Sequence, residues 1–138
     1  MELEVGSFDP ALHIKSRDHY EAVRREAQLL SLAPEAAPAR LEDLVQRLSG
    51  QFPPSPVDEV ADRAYLAKEP SFAVRYALPD ELVPAALVAC DQLEDLLDEF
   101  DRWADAEGVR LLEAPEDIKR YRKAYLDQVR AQLQGAHG

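Results

Sequence analysis

DELVPAALVACDQLEDLLDEFDRWADAE, residues 80–107, is the stretch on which the fold turns. Leu82, Ala86, Ala89, Leu93, Leu96, Phe100 and Trp103 follow one another at alternating steps of four and three. That is the spacing of a seam packed along one side of a helix. A second column, Val83, Cys90, Leu97 and Ala104, widens the stripe, while Asp91, Glu94, Asp95, Asp98, Asp101 and Asp105 are assigned to the solvent side. At 1.5 Å per residue such a helix is roughly 40 Å long. Its greasy side needs a cover, and the flanking segments supply one. Pro84 stands in the first turn, where a missing N–H matters least, and Gly108 ends the run.

Upstream, residues 71–78 change period. Phe72, Val74, Tyr76 and Leu78 alternate with smaller or charged residues and Pro79 closes the run, which predicts a half-buried strand. One strand needs a partner; the candidates are ALHIK (11–15) and VRLLEA (109–114). Residues 1–10, with Gly6 and Pro10, read as a loose lead-in. Ser16 is the expected cap of a first helix over 17–31, buried through Tyr20, Val23, Ala27, Leu29 and Leu30. Residues 32–38, LAPEAAP, form a stiff link. A second helix, 39–49, buries Leu41, Leu44, Val45 and Leu48, with Gly50 as its left-handed stop. Ser55 and Pro56 open a third helix, with Asp58 as the capping acid and Val57, Val60, Ala61 and Ala64 inward, ending near Lys68. The last helix follows Pro115 and stops at Gly135. It buries Ile118, Tyr121, Tyr125, Val129 and Leu133 and turns Lys119, Arg120, Lys123, Asp127 and Arg130 outward. The expected fold is mainly α: one domain over 1–138, a bundle of about five helices with a minor two- or three-stranded β element, loose at 1–10 and 135–138.

Composition narrows function by exclusion. A hydrophobic share of 46% is too high for a disordered chain, and a net charge of −11 opposes general binding to nucleic acid or an anionic membrane. No apolar run approaches the ~20 residues that span a bilayer, and the start lacks a signal peptide's basic and apolar regions. A cytoplasmic location is expected. The single cysteine, Cys90, lies in the apolar columns and reads as a small buried hydrophobe.

Chemistry is sparse. Asp91, Asp95 and Asp98 recur at helical spacing, but no Glu-x-x-His pair accompanies them, so a solvated face is expected and no metal or cofactor. No G-x-S-x-G, phosphate-cradling loop, H-E-x-x-H or C-x-x-C occurs, and no enzymatic activity is expected. Lys119, Arg120, Arg122 and Lys123 form the dense positive cluster. It either meets an acidic partner or balances the acidic central helix within the fold. His19, Tyr76, Trp103 and Tyr125 are the candidate lining of a ligand pocket between the first, central and last helices; simple core is the alternative for the aromatics. The wide apolar columns also suit pairing with a second copy, so a homodimer is among the expected states.

RDHYEAVRREAQLLSL (17–32) resembles the first helix, and IKRYRKAYLDQVRAQLQG (118–135) the closing helix, of uncharacterised helical regulatory modules of high-GC bacteria. FAVRYALP (72–79) before a long acidic helix fits their layout. Such modules occur beside kinase-like and phosphatase domains of the partner-switching systems that control alternative sigma factors. The resemblance implies a regulatory or sensory role in bacterial signalling, exerted through contact with another signalling protein, and transfers no catalytic residue. A small-molecule sensor is the alternative.

Overall fold

The computed structural model describes residues 1–29, 36–109 and 112–137, and of 26–29 and 136–137 the backbone alone. Among the described residues the order is β1 (Glu2–Phe8), α1 (Pro10–Leu29), α2 (Ala37–Gln51), α3 (Val57–Leu66), β2 (Phe72–Ala77), a 3-10 turn (Asp80–Leu82), α4 (Val83–Ala106) and α5 (Glu116–His137). The protein is mainly α with a two-stranded antiparallel sheet.

α4 runs unbroken, as the spacing of its apolar residues requires. Its end is a Schellman motif: Gly108 adopts φ +73°, its N–H reaches the Asp105 carbonyl at 3.2 Å, and Val109 N–H reaches Ala104 at 2.9 Å. α5 and α2 pack along α4, while α1 packs on α3, α5 and α2.

The partner of β2 is β1, in the register Leu3↔Tyr76 and Val5↔Val74. Residues 1–10 are therefore not a loose lead-in. Leu3 and Val5 alternate with Glu2 and Glu4, and that short period buries the two apolar side chains while Arg75 meets both acids at 3.6 and 3.3 Å. ALHIK belongs to α1, which opens at Pro10, so Ser16 lies inside a helix and caps nothing. VRLLEA supplies no strand among the described residues; Arg110 and Leu111 lie outside them, and Leu112 sits in a short turn. Gly50 stays helical and α2 ends one residue later. Gly135 likewise lies within α5. α3 begins at Val57, whose N–H reaches the Ser55 hydroxyl at 3.2 Å, leaving Asp58 free for another contact. The expected burial of Ala27, Leu29 and Leu30, and most of the 32–38 link, lie outside the described residues.

β1 has one edge on β2 and the other under α5. Gln132 accepts from Glu4 N–H at 2.7 Å and donates to the Glu4 carbonyl at 2.6 Å. Gln128, one turn earlier, makes the same pair with Gly6, accepting at 3.0 Å. Two side-chain amides four residues apart thus stand in for a third strand and satisfy an edge that would otherwise be open.

The core is in two parts. Leu3, Val5, Val57, Ala61, Phe72, Val83, Cys90, Leu126, Val129 and Leu133 gather around the sheet. Val23, Leu41, Phe100, Ala104 and Leu112 gather at the other end of α4. Leu93 packs against both, so the seam between the two cores crosses the middle of α4.

Candidate functional site

That seam is not filled. Three adjoining clefts, each partly open to solvent, lie along it, of about 250, 210 and 270 Å³, and Leu93 borders all three. The first lies between α1, α2, α4 and α5, against Val23, Leu41, Val45, Leu97 and Phe100. The second lies over the sheet-side core, against Phe52, Tyr76, Cys90, Tyr125 and Val129. The third joins them: Tyr20, Leu97 and Arg122 border it and the first, Tyr125 and Leu126 border it and the second. Their walls are mostly apolar, with a few polar groups converging from different helices, the makeup of a small-molecule site.

Asp101 is a buried member of that set, only 6% exposed. Its carboxylate accepts from Ala114 N–H at 3.1 Å and pairs with the Arg122 guanidinium, which also lies 3.5 Å from Asp98. Asp101 therefore does not face solvent with the other α4 acids. It sits four residues after Leu97 and three before Ala104, inside an apolar column, and that position was the readable sign. Glu94 holds the matching place a heptad earlier. It meets Lys123 at 3.1 Å and Arg130 closely; the Lys123 hydrogen bond, then that of Arg130, lowers its pKa. Arg130, expected outward, is instead tucked over α4 and also reaches Asp91 at 3.0 Å.

His13, on α1, is buried in the wall of the third cavity. One ring nitrogen lies 2.6 Å from Asp58 of α3 and the other is hydrogen-bonded to the Tyr121 hydroxyl of α5. The hydrogen bond from His13 lowers the Asp58 pKa, so the carboxylate is ionised and accepts only. Nε2 then donates to it, and Nδ1 and the phenol oxygen share the second hydrogen bond. The order acid–imidazole–hydroxyl resembles a nucleophile relay, yet burial pushes the Tyr121 pKa up and keeps the phenol neutral. The relay ties three helices together and orients a hydroxyl without activating it. Reading 11–15 as a strand hid His13; as a helical residue it lies two turns before Tyr20, on the same face.

No family model matches the chain, and neither a curated protein nor a solved structure does.

The four candidate pocket residues do not share one pocket. His19 lines the first cavity, Tyr76 the second, and Tyr125 the second and third. Trp103 borders none of these and packs on Phe100, ring centres 5.6 Å apart. His19 Nε2 is buried without a hydrogen-bond partner, and burial of the ring lowers its pKa. Of the basic cluster, Lys119 lies 3.7 Å from Glu113, Arg122 pairs with Asp101, and Lys123 with Glu94 and Asp127. Arg120 is exposed. No three His, Cys, Asp or Glu come together as a metal site among the described residues, and no described helix is long and apolar enough to cross a membrane.

Proposed function

We propose that the chain is a non-enzymatic sensory module that holds a small, largely apolar molecule between α1, α4 and α5. The observation that carries this is the seam at Leu93, where two apolar clusters meet and leave three adjoining, partly open clefts. Filling that seam favours one mutual packing of the two halves, which is how ligand occupancy becomes a signal. The likeness of residues 17–32 and 118–135 to bacterial regulatory helices supports a setting in partner-switching control of sigma factors. The neutral, unactivated phenol of Tyr121 supports binding over catalysis. The test is a methyl-resolved NMR titration of the full chain with ethylbenzene. Saturable shifts of the Leu93, Leu97 and Leu126 methyls are expected; a spectrum unmoved at all three would remove the small-molecule reading.

A second reading is docking on another signalling protein. Tyr65 and Leu66, at the end of α3, are 54% and 79% exposed and favour it. Leu66→Glu would then abolish capture of sigma-regulator proteins while leaving the ethylbenzene shifts in place. Lys119, Arg122 and Lys123 are held by acids of the same chain, which fits the balancing role that was one of the two expected for them. Val88, 55% exposed on α4, is where a second copy would pair, and light scattering reads that directly.

A further inference from the structure

We propose that the three clefts together hold one ligand, an uncharged, unbranched alkyl chain of about twelve to sixteen carbons such as a fatty alcohol, with its tail in the second cleft and its head toward the first. This rests on the small-molecule reading and names the ligand class. Volume comes first. At about 250, 210 and 270 Å³, each cleft alone falls short of the roughly 300 Å³ at which ligand pockets begin, and the three together lie inside that range. Continuity comes next. The first and second clefts share Leu93 alone, whereas the third shares Tyr20, Leu97 and Arg122 with the first and Tyr125 and Leu126 with the second. The path therefore runs from the first through the third to the second. Along it the α4 wall advances in order: Ala86, Ala89 and Cys90 in the second cleft, Leu93 in all three, Leu97 in the third and first, Phe100 in the first. Those steps keep to one side of a helix, so a single face of α4 lines the whole path. From Ala86 to Phe100 it is about 21 Å long at 1.5 Å per residue. An alkyl chain with bonds of about 1.5 Å at tetrahedral angles advances roughly 1.3 Å per carbon, so about sixteen carbons cover that length.

The walls then decide which end goes where. The second cleft is lined by Leu48, Phe52, Ala86, Ala89 and Val129, and its hydroxyls are engaged with one another, Tyr76 with Ser55 and Tyr125. Its polar atoms are satisfied and its space is left to hydrocarbon. Ser16, Tyr20 and Arg122 line both the first and the third cleft, so the polar head belongs on that side. The head carries no charge. A carboxylate would enter between Asp101 in the first wall and Asp58 in the third, in a chain of net −11 whose Arg122 is already paired with Asp101. An ammonium would lie beside Arg17 and Arg122. An alkyl chain rotates about every bond and can turn at the Arg122 and Leu126 junctions, where a fused-ring skeleton of equal length cannot bend.

The experiment is titration of the full chain at pH 7.5 with 1-hexanol, 1-dodecanol and dodecanoate, followed by methyl-resolved NMR and calorimetry. 1-Dodecanol is expected to bind one to one and to shift the Val23 and Val45 methyls of the first cleft and the Leu48 and Val129 methyls of the second along a single saturation curve. Affinity should rise about threefold to fourfold per added carbon from 1-hexanol to 1-dodecanol, the worth of one buried methylene, and dodecanoate should bind more weakly than 1-dodecanol. Leu97→Phe, at the junction of the first and third clefts, should remove most of the advantage of 1-dodecanol over 1-hexanol. The wild-type titration stands even where that variant folds poorly. Separate saturation curves at the two ends, or an affinity that levels off after 1-hexanol, would overturn the single-chain assignment while leaving the small-molecule reading intact. Tighter binding of dodecanoate would overturn the uncharged head, and an undiminished advantage in Leu97→Phe would place the chain elsewhere. Binding of neither alcohol would overturn this inference, and if ethylbenzene also failed to bind, the sensory reading would fall with it.

Discussion

Asp101→Ala removes the one carboxylate of α4 that lies inside the core, and its cost follows from what remains. The Arg122 side chain is 15% exposed, and Ala114 N–H loses its acceptor. Breaking a buried ion pair from one side costs about 3–5 kcal/mol, because the surviving charge is left uncompensated. Asp98, 3.5 Å from the same guanidinium and 57% exposed, takes over part of the pairing, which moves the value toward the lower end. About 3 kcal/mol is a large share of the roughly 5–15 kcal/mol typical of a whole domain. Equilibrium urea unfolding measures it: with a slope of about 2 kcal/mol per molar, the midpoint should fall by about 1.5 M. Asp101→Asn keeps an acceptor for Ala114 and should lose about half as much. Asp98→Ala, at the surface end, should cost about 0.5 kcal/mol. Replacing both partners, Asp101→Leu with Arg122→Met, should recover most of the loss, since a packed apolar pair needs no compensation. A loss for Asp101→Ala no larger than that for Asp98→Ala would refute the buried-pair reasoning.

Three further outcomes are expected. Gly6 has φ +147°, and a Cβ there would stand 2.6 Å from the Ala73 side chain and 2.9 Å from the Phe72 carbonyl; Gly6→Ala should therefore cost about 3 kcal/mol in thermal or urea unfolding. Removing the two amides, Gln128→Ala with Gln132→Ala, should speed hydrogen exchange at Glu4 and Gly6 while leaving Leu3 and Val5, and should cost about 2 kcal/mol in all. His19 takes a proton near pH 6.5 when unfolded, but burial lowers its folded pKa. As pH falls from about 6.5 through that lowered value, the unfolded chain binds the extra proton first, so stability declines with acid; His19→Gln should flatten this part of the curve in urea midpoints from pH 8 to 5, and an unchanged slope would count against it.

Much of the fold was legible because α4 carries its own pattern. The alternating steps from Leu82 to Trp103 named the helix, and Gly108 named its end. The alternation from Phe72 to Leu78 named β2 but not its partner. β1 escaped because Gly6 read as a breaker, whereas it is the residue that lets one strand edge approach Ala73 this closely. The site was less legible, since clefts between helices depend on how the helices lie against one another, and periodicity reports only which side of each helix is apolar. Asp101 and His13 were readable from helical position alone, yet each carried a rival reading. The acids around Asp101 marked a solvent face, and the neighbours of His13 alternated like a strand. Arg122, Lys123 and Arg130 formed a visible cluster, but their pairing with Asp101 and Glu94 depends on how α5 lies against α4.

The most direct measurement is a crystal of the full chain under xenon pressure, because xenon enters dry apolar cavities without needing a polar anchor. Xenon density is expected between α1, α4 and α5 within contact of Leu93, with little movement of the helices. Side chains closed together around Leu93, with no xenon anywhere along the seam, would contradict the claim that two cores meet there across an unfilled space.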